Sequence, residues 1–304
     1  ATAIALALAL GFCAATHGTR LSRWLRPLLA PLLSLPHAAV AIGLAFLIAP
    51  SGWTMRWLAP WATGGDRPPD YLLPQDPWGI ALIAGLVLKE LPYLLLMVLA
   101  ALGQVPADRY LAIGRSLGYG PVVLAFSLSV VGMALILAPA TPPPLAPLLL
   151  RWFNDPDLAM RLPASAGAML QLAIVAGTIA AWIVAERILR APWRRFLASG
   201  SRHLAGTVGR HGLSVAGVLA LALSALAILG MLIWSLAARW RYPDALPASW
   251  TLQNWTTRID AIAPVLGSTV LLAALSAAIA LALTLACLEN ERRRHRGMTA
   301  RGLW

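Results

Sequence analysis

The chain has 304 residues, of which 59% are hydrophobic and only 12% charged, and its mean hydropathy is +0.73. A soluble domain carries roughly 25% charged residues, so the length cannot be read as a pair of soluble domains. The formal net charge of +12 falls in short loops between apolar runs, and this excludes a nucleic-acid-binding face as its explanation.

About 20 apolar residues cross the hydrocarbon core as a helix, and seven runs approach or reach that length: 1–16, 28–50, 79–102, 122–140, 164–186, 213–238 and 262–288. The pattern predicts an all-α polytopic bundle of about seven spans, because repeated ten-residue alternations of barrel type are missing. The first run, ATAIALALALGFCAA, has no basic segment before it and no small-residue cleavage site after it. It reads as a shortened span rather than a signal peptide, so the chain is expected to be a fragment. After the second run come Trp53, Trp57 and Trp61 at helical spacing, as in a short interfacial helix at headgroup level. RPPDYLLPQDP then reads as a non-helical connection.

The third run, GIALIAGLVLKELPYLLLMVLAAL, places Lys89 and Glu90 near its middle and Pro92 just beyond. Ionisable groups inside a span are functional candidates. Neighbours on a helix diverge by about 100°, so these two cannot face each other and each needs its own partner. Pro92 lacks a backbone donor and is expected to kink or break the helix. Two readings stand: a broken helix lining a translocation path, or two charges at a loop or packed interface.

Residues 104–126 follow. Asp108, Arg109 and Arg115 make the segment too polar to span, while Leu111, Ile113 and Leu117 give it an apolar side. It reads as a short amphipathic helix closed by Gly118 and Gly120, with Pro121 opening the next element. Beyond it lie APATPPPLAP, the run 164–186, the basic stretch 187–212 and two runs without Asp, Glu, Lys or Arg over 212–238 and 261–288. Between those two, Trp240, Trp250 and Trp255 again suit an interface.

Arginine placement orients the bundle. Alternate loops hold sixteen arginines and four acids, while the intervening loops hold seven of each. The whole net charge therefore lies on one side, which the positive-inside rule makes cytoplasmic. Cys13 and Cys287 lie in apolar runs and read as buried small residues. The five histidines lack ligand-spaced neighbours, so no metal site is expected. No CxxC, HExxH or Walker-type loop occurs, so the chain carries no nucleotide-hydrolysis machinery and no cofactor is expected.

At residues 112–121, AIGRSLGYGP resembles the coupling-loop motif of ABC importer permeases of the binding-protein-dependent class. Ala112, Ile113 and Gly114 fall on the family's Glu-Ala-Ala. Arg115, Ser116 and Leu117 fall on its favoured Arg-Ser/Thr-Leu, Gly118 on its glycine, and Pro121 on a common proline, with Tyr119 and Gly120 between. The chain departs from the pattern at Ala112, where the family has an acid, and at Val130-Val131, where it has Leu-Pro. LKELPYLLL resembles the span before this loop in the subgroup that takes up ferric iron, sulfate and thiamine.

The resemblance implies a type I permease fold in a bacterial inner membrane and ATP-driven import of a small nutrient, thiamine-like or ferric iron. It implies a cytoplasmic ABC ATPase dimer gripping the loop at 107–121, a periplasmic solute-binding protein outside, and membrane lipid around the spans. Such a permease is not an enzyme. AIALAL occurs at residues 3–8 and again at 278–283, each time in a run that leaves into an Arg-rich loop. This suggests a fused double permease: a first core over 1–190, a basic junction over 191–212, and the start of a second copy over 213–304. The alternative is a secondary, ion-coupled transporter using Lys89 and Glu90.

Overall fold

The computed structural model describes residues 1–16, 20–58, 65–103, 120–198 and 207–294. The described chain is helical apart from one short two-stranded ribbon, as expected of an all-α polytopic bundle. Among the described residues, five helical stretches are long and apolar enough to cross a bilayer: His37–Leu58, Ile80–Ala100, Leu158–Leu189, His211–Leu236 and Ile259–Asn290. The chain divides into two compact units, Ala1–Trp234 with Trp240–Ala248, and Ser235–Arg239 with Ser249–Trp304.

In the first unit, α1 (Thr2–Thr16), α2 (Arg20–Ser34), α3 (His37–Ile48) and α4 (Trp53–Leu58) precede the central helix α5 (Ile80–Gly103). Then come α6 (Gly120–Ser129), α7 (Gly132–Leu137), α8 (Leu145–Phe153), the long α9 (Arg161–Ala198) and α10 (Thr207–Leu236). Two runs expected to span whole are interrupted. The run 28–50 parts at Pro36, whose ψ of 144° is extended. Pro36 has no N–H to continue α2, and it pushes Leu35 out of the helical region. The run 122–140 parts after Ser129, where β-branched Val130 and Val131 and then Gly132 favour helix poorly. The 15 residues of α1 rise only about 22 Å, short of the roughly 30 Å hydrocarbon core.

Two faces of α5 build the core. Leu91, Leu94, Leu95 and Val98 recur at helical spacing and pack on Ala5, Ala9 and Phe12 of α1. The small Ala5 and Ala9 let the two helices approach closely. Ala81 and Leu88 face Val40, Ala41 and Leu44 of α3 and Met133 and Leu137 of α7. Helix α10 joins the unit through glycines. A Cβ on Gly43 would lie 2.6 Å from the Ala227 carbonyl oxygen, so α3 and α10 touch backbone to backbone. Nearby, Phe12 lies against Gly217 and Leu213 against Gly11.

At one end of this unit, residues 240–248 are held down on α4. The Arg56 guanidinium is buried and donates to the carbonyls of Ser51 (2.9 Å), Arg241 (2.7 Å) and Asp244 (3.2 Å). The rings of Trp240 and Tyr242 cover it. Trp53, expected at the headgroup level, is buried, and its indole N–H donates to Ala245 O at 3.0 Å. Trp57 is exposed. Tyr71 donates to Ile48 O at 2.8 Å. Burial, and secondarily Tyr242, raise its phenol above the ordinary value.

The second unit is smaller. β1 (Ala237–Arg239) pairs antiparallel with β2 (Ser249–Trp250). Asn254, in the short α11 (Gln253–Thr256), donates to Ser235 O at 3.1 Å and Ala237 O at 3.0 Å. From this clasp rises α12 (Ile259–Arg294), whose apolar residues are exposed throughout. That surface suits a helix surrounded by lipid or by other spans.

Candidate functional site

Lys89 and Glu90 lie in the middle of α5 and are 8% and 6% exposed. As their helical phase requires, they point to different neighbours. The Lys89 ammonium donates to Leu33 O at 2.9 Å and Leu35 O at 2.5 Å. Those carbonyls end α2, where Pro36 stops the chain from continuing as helix. A helix leaves its last carbonyls without intrahelical donors and carries partial negative charge at that end. Lys89 therefore acts as a cap on a helix broken inside the apolar layer.

Glu90 Oε1 accepts a hydrogen bond from Ser127 Oγ of α6. Ser127 Oγ also lies 3.2 Å from Thr2 Oγ1 of α1 and 2.9 Å from Val123 O. Glu90 Oε2 is buried without a hydrogen-bond partner. A buried unpaired acceptor is costly unless a ligand, water or rearrangement meets it. Pro92 is fully buried, and α5 runs through it without a break. The helix is thus not broken at Pro92, and the helix break beside Lys89 is the one at Pro36 between α2 and α3. Close packing by Leu91, Leu94 and Leu95 holds α5 together, as neighbouring helices do around proline in membranes.

Most of the stretch expected from its resemblance to be a coupling loop, Ala112, Gly114, Arg115, Ser116, Leu117, Gly118 and Tyr119, lies outside the described residues. Gly120 and Pro121 open α6, with proline in the first turn, where its missing N–H costs nothing. Gly120 is also a close-approach site. A Cβ there would collide with the Trp182 indole of α9. Ser127 lies seven residues farther on, about 10 Å along the helix. One short rigid helix thus joins the end of the motif to Glu90.

Gly120→Ala is expected to drive the Trp182 indole from its seat. A shift in tryptophan emission and a lowered unfolding midpoint would register it, and adding Trp182→Ala should restore the midpoint in part, since contacting residues couple. Unchanged emission and midpoint in the single variant would count against this close approach.

Residues 114–118, Gly-Arg-Ser-Leu-Gly, also have the spacing of a hydrolase nucleophile elbow. That elbow needs a strand-to-helix turn on a sheet, and the strands among the described residues are the short β1 and β2. Among the described residues, no three His, Cys, Asp or Glu cluster as metal ligands. His37 packs on the Phe126 ring, with centroids 5.0 Å apart. The sequence singled out Lys89 and Glu90 but not their partners Ser127, Thr2 and the α2 carbonyls. The available signals were a hydroxyl in an apolar run at Ser127 and the proline after Leu35.

The chain is 26% identical over 185 residues to the inner membrane ABC transporter permease protein YnjC of Escherichia coli (strain K12). The aligned region is 54% of this chain and 34% of that relative, so the chain spans about a third of its length. No protein-family model matches the chain, and no solved structure does.

Proposed function

We propose that the chain is a transmembrane permease subunit of an ABC transporter. The similarity to an ABC permease carries this reading. The one-sided arginine loops and the coupling-like motif at 112–121 support it. The residues do no bond chemistry: the spans line a path, and a separate ATPase supplies the work. In this reading the ATPase dimer grips the loop at 107–121, and α6 passes the motion from Gly120 to Ser127 and Glu90. A periplasmic solute-binding protein delivers the solute, a small nutrient such as a thiamine-like compound or ferric iron, a choice supported only by the likeness of LKELPYLLL to that subgroup. The division into a core at 1–190, a junction at 191–212 and a second copy from 213 belongs to the same reading. Transport coupled to an ion is the second reading, favoured only by the unpartnered buried oxygen of Glu90.

Gly118→Asp tests the first reading. An unpaired carboxylate pressed into a protein interface costs several kcal/mol, so ATP-driven uptake should fall at least about a hundredfold. Insertion in the membrane should persist, and the ATPase should no longer co-purify. Unchanged uptake, or an ATPase that never co-purifies with the parent protein, would remove ATPase coupling through this loop.

A further inference from the structure

Helix α9 is longer than a bilayer is thick. Its 38 residues, Arg161–Ala198, rise about 57 Å, whereas a bilayer with both headgroup layers measures about 40–45 Å. Past the apolar run 164–186 the composition changes. Arg187, Arg190, Arg194 and Arg195 are interleaved with Ile188, Leu189, Pro192, Trp193, Phe196 and Leu197. At about 100° per residue, the four arginines fall within an arc of about 140°, and the six apolar residues take the opposite half. Arg187, Ile188, Leu189, Pro192 and Arg195 are exposed. Membrane topology asks only for positive charge in the loops beside a span. It does not ask for the charges to be sorted from the apolar residues around the helix axis, and that sorting needs its own cause.

We propose that residues 187–198 form an interfacial anchor that binds an anionic phospholipid surface, on the side of the membrane that holds the arginine-rich loops. A helix with arginines on one half and Trp, Phe and Leu on the other lies in the headgroup plane, its apolar half at the acyl boundary. Trp193 suits that level, where an apolar ring system with a polar N–H is favoured. The arginines meet lipid phosphates, and each cation near an anionic leaflet favours the bound state about fivefold. The turn from span to surface falls at Pro192. The chain is helical on both sides of it, but its ring leaves the Ile188 carbonyl without the usual donor, so the helix bends there readily. Arg187 and Arg190 then lie at headgroup depth, and Arg194 and Arg195 lie along the surface. The bend also accommodates the excess length. The anchor requires only that α9 crosses a membrane, so it stands apart from the transport reading.

Nitroxide labelling of the full chain in lipid nanodiscs, which are open to solvent on both faces, tests the anchor. Cys287→Ala removes the exposed thiol, while Cys13 is buried and stays. A single label is then attached through Phe196→Cys or, separately, Ala198→Cys, about 160° apart around the helix. In discs containing phosphatidylglycerol, the label at 196 should meet oxygen, which dissolves in acyl chains, several-fold more than an aqueous nickel chelate. The label at 198 should show the reverse preference. Arg187→Gln, Arg190→Gln, Arg194→Gln and Arg195→Gln together should return the label at 196 to the chelate, and so should discs of phosphatidylcholine alone. Equal access of the chelate to both labels in the phosphatidylglycerol discs would overturn the anchor, because the helix then projects into water. Shielding at 196 from oxygen and chelate alike would overturn it too, as the mark of a protein surface over that side. A label at 196 that ignores both the arginine changes and the lipid change would overturn the role of anionic lipid.

Discussion

Gly43→Leu should separate α10 from α3 and cost about 3 kcal/mol or more, the upper part of the range for overpacking. At this crossing the obstacle is main chain. A Cβ at position 43 would stand 2.6 Å from Ala227 O and 2.9 Å from its carbonyl carbon, and a helix backbone cannot swing aside as a side chain can. The rest of the crossing offers little slack, because Phe46 and Leu47 cluster with Trp53 and Ala227. Small residues drive such contacts in membranes, where apolar transfer gives no force between helices and close van der Waals packing does. The measurement is a detergent-unfolding titration of the purified protein. Gly177→Ala is the control: nothing lies within 4 Å of its Cβ, and replacing a mid-helix glycine should stabilise by roughly 0.5–1 kcal/mol. Equal midpoints for the parent and Gly43→Leu would mean that α3 and α10 do not meet as described.

The same crossing shows what a hydropathy pattern carries and what it omits. The runs 79–102, 164–186, 213–238 and 262–288 lie on long helices and overrun their ends by two residues at most, because apolar content over 20 residues decides membrane insertion and is a local quantity. The run 28–50 has the same average but two helices, because one proline outweighs the average by removing a donor and restricting its neighbour. Proline alone does not mark the break: α2 runs through Pro27 and Pro31, α5 through Pro92 and the exposed α12 through Pro264. Which proline ends a helix depends on where the chain goes next in the fold, and local composition does not contain that. Partners are hidden for a similar reason. Ser127 is 37 residues from Glu90, and the acceptors for Lys89 are main-chain atoms with no residue signature. Arg56 read as one more loop arginine, and only the fold shows three carbonyls and two rings around it.

Lys89→Glu should loosen the junction between α2 and α3, and Lys89→Arg should preserve it. In the parent, the ammonium meets two carbonyl oxygens that end a helix, and charge and dipole have opposite sign. A glutamate would present oxygen to oxygen at the same negative end, one residue from Glu90. Breaking a buried charge arrangement costs about 3–5 kcal/mol, enough to open the junction locally before the whole unit unfolds. Arginine keeps the charge and has donors for both carbonyls. Hydrogen exchange of the peptide covering residues 29–40 reads the difference directly. Each 1.4 kcal/mol is a factor of ten, so exchange there should quicken at least about a hundredfold in the glutamate variant and little in the arginine one. Glu90→Gln should leave it unchanged, because Glu90 faces α6 and not the junction. This contrast separates the roles of two adjacent ionisable residues. If Lys89→Glu exchanges like the parent, Lys89 does not cap α2, and its charge becomes available to the ion-coupled reading.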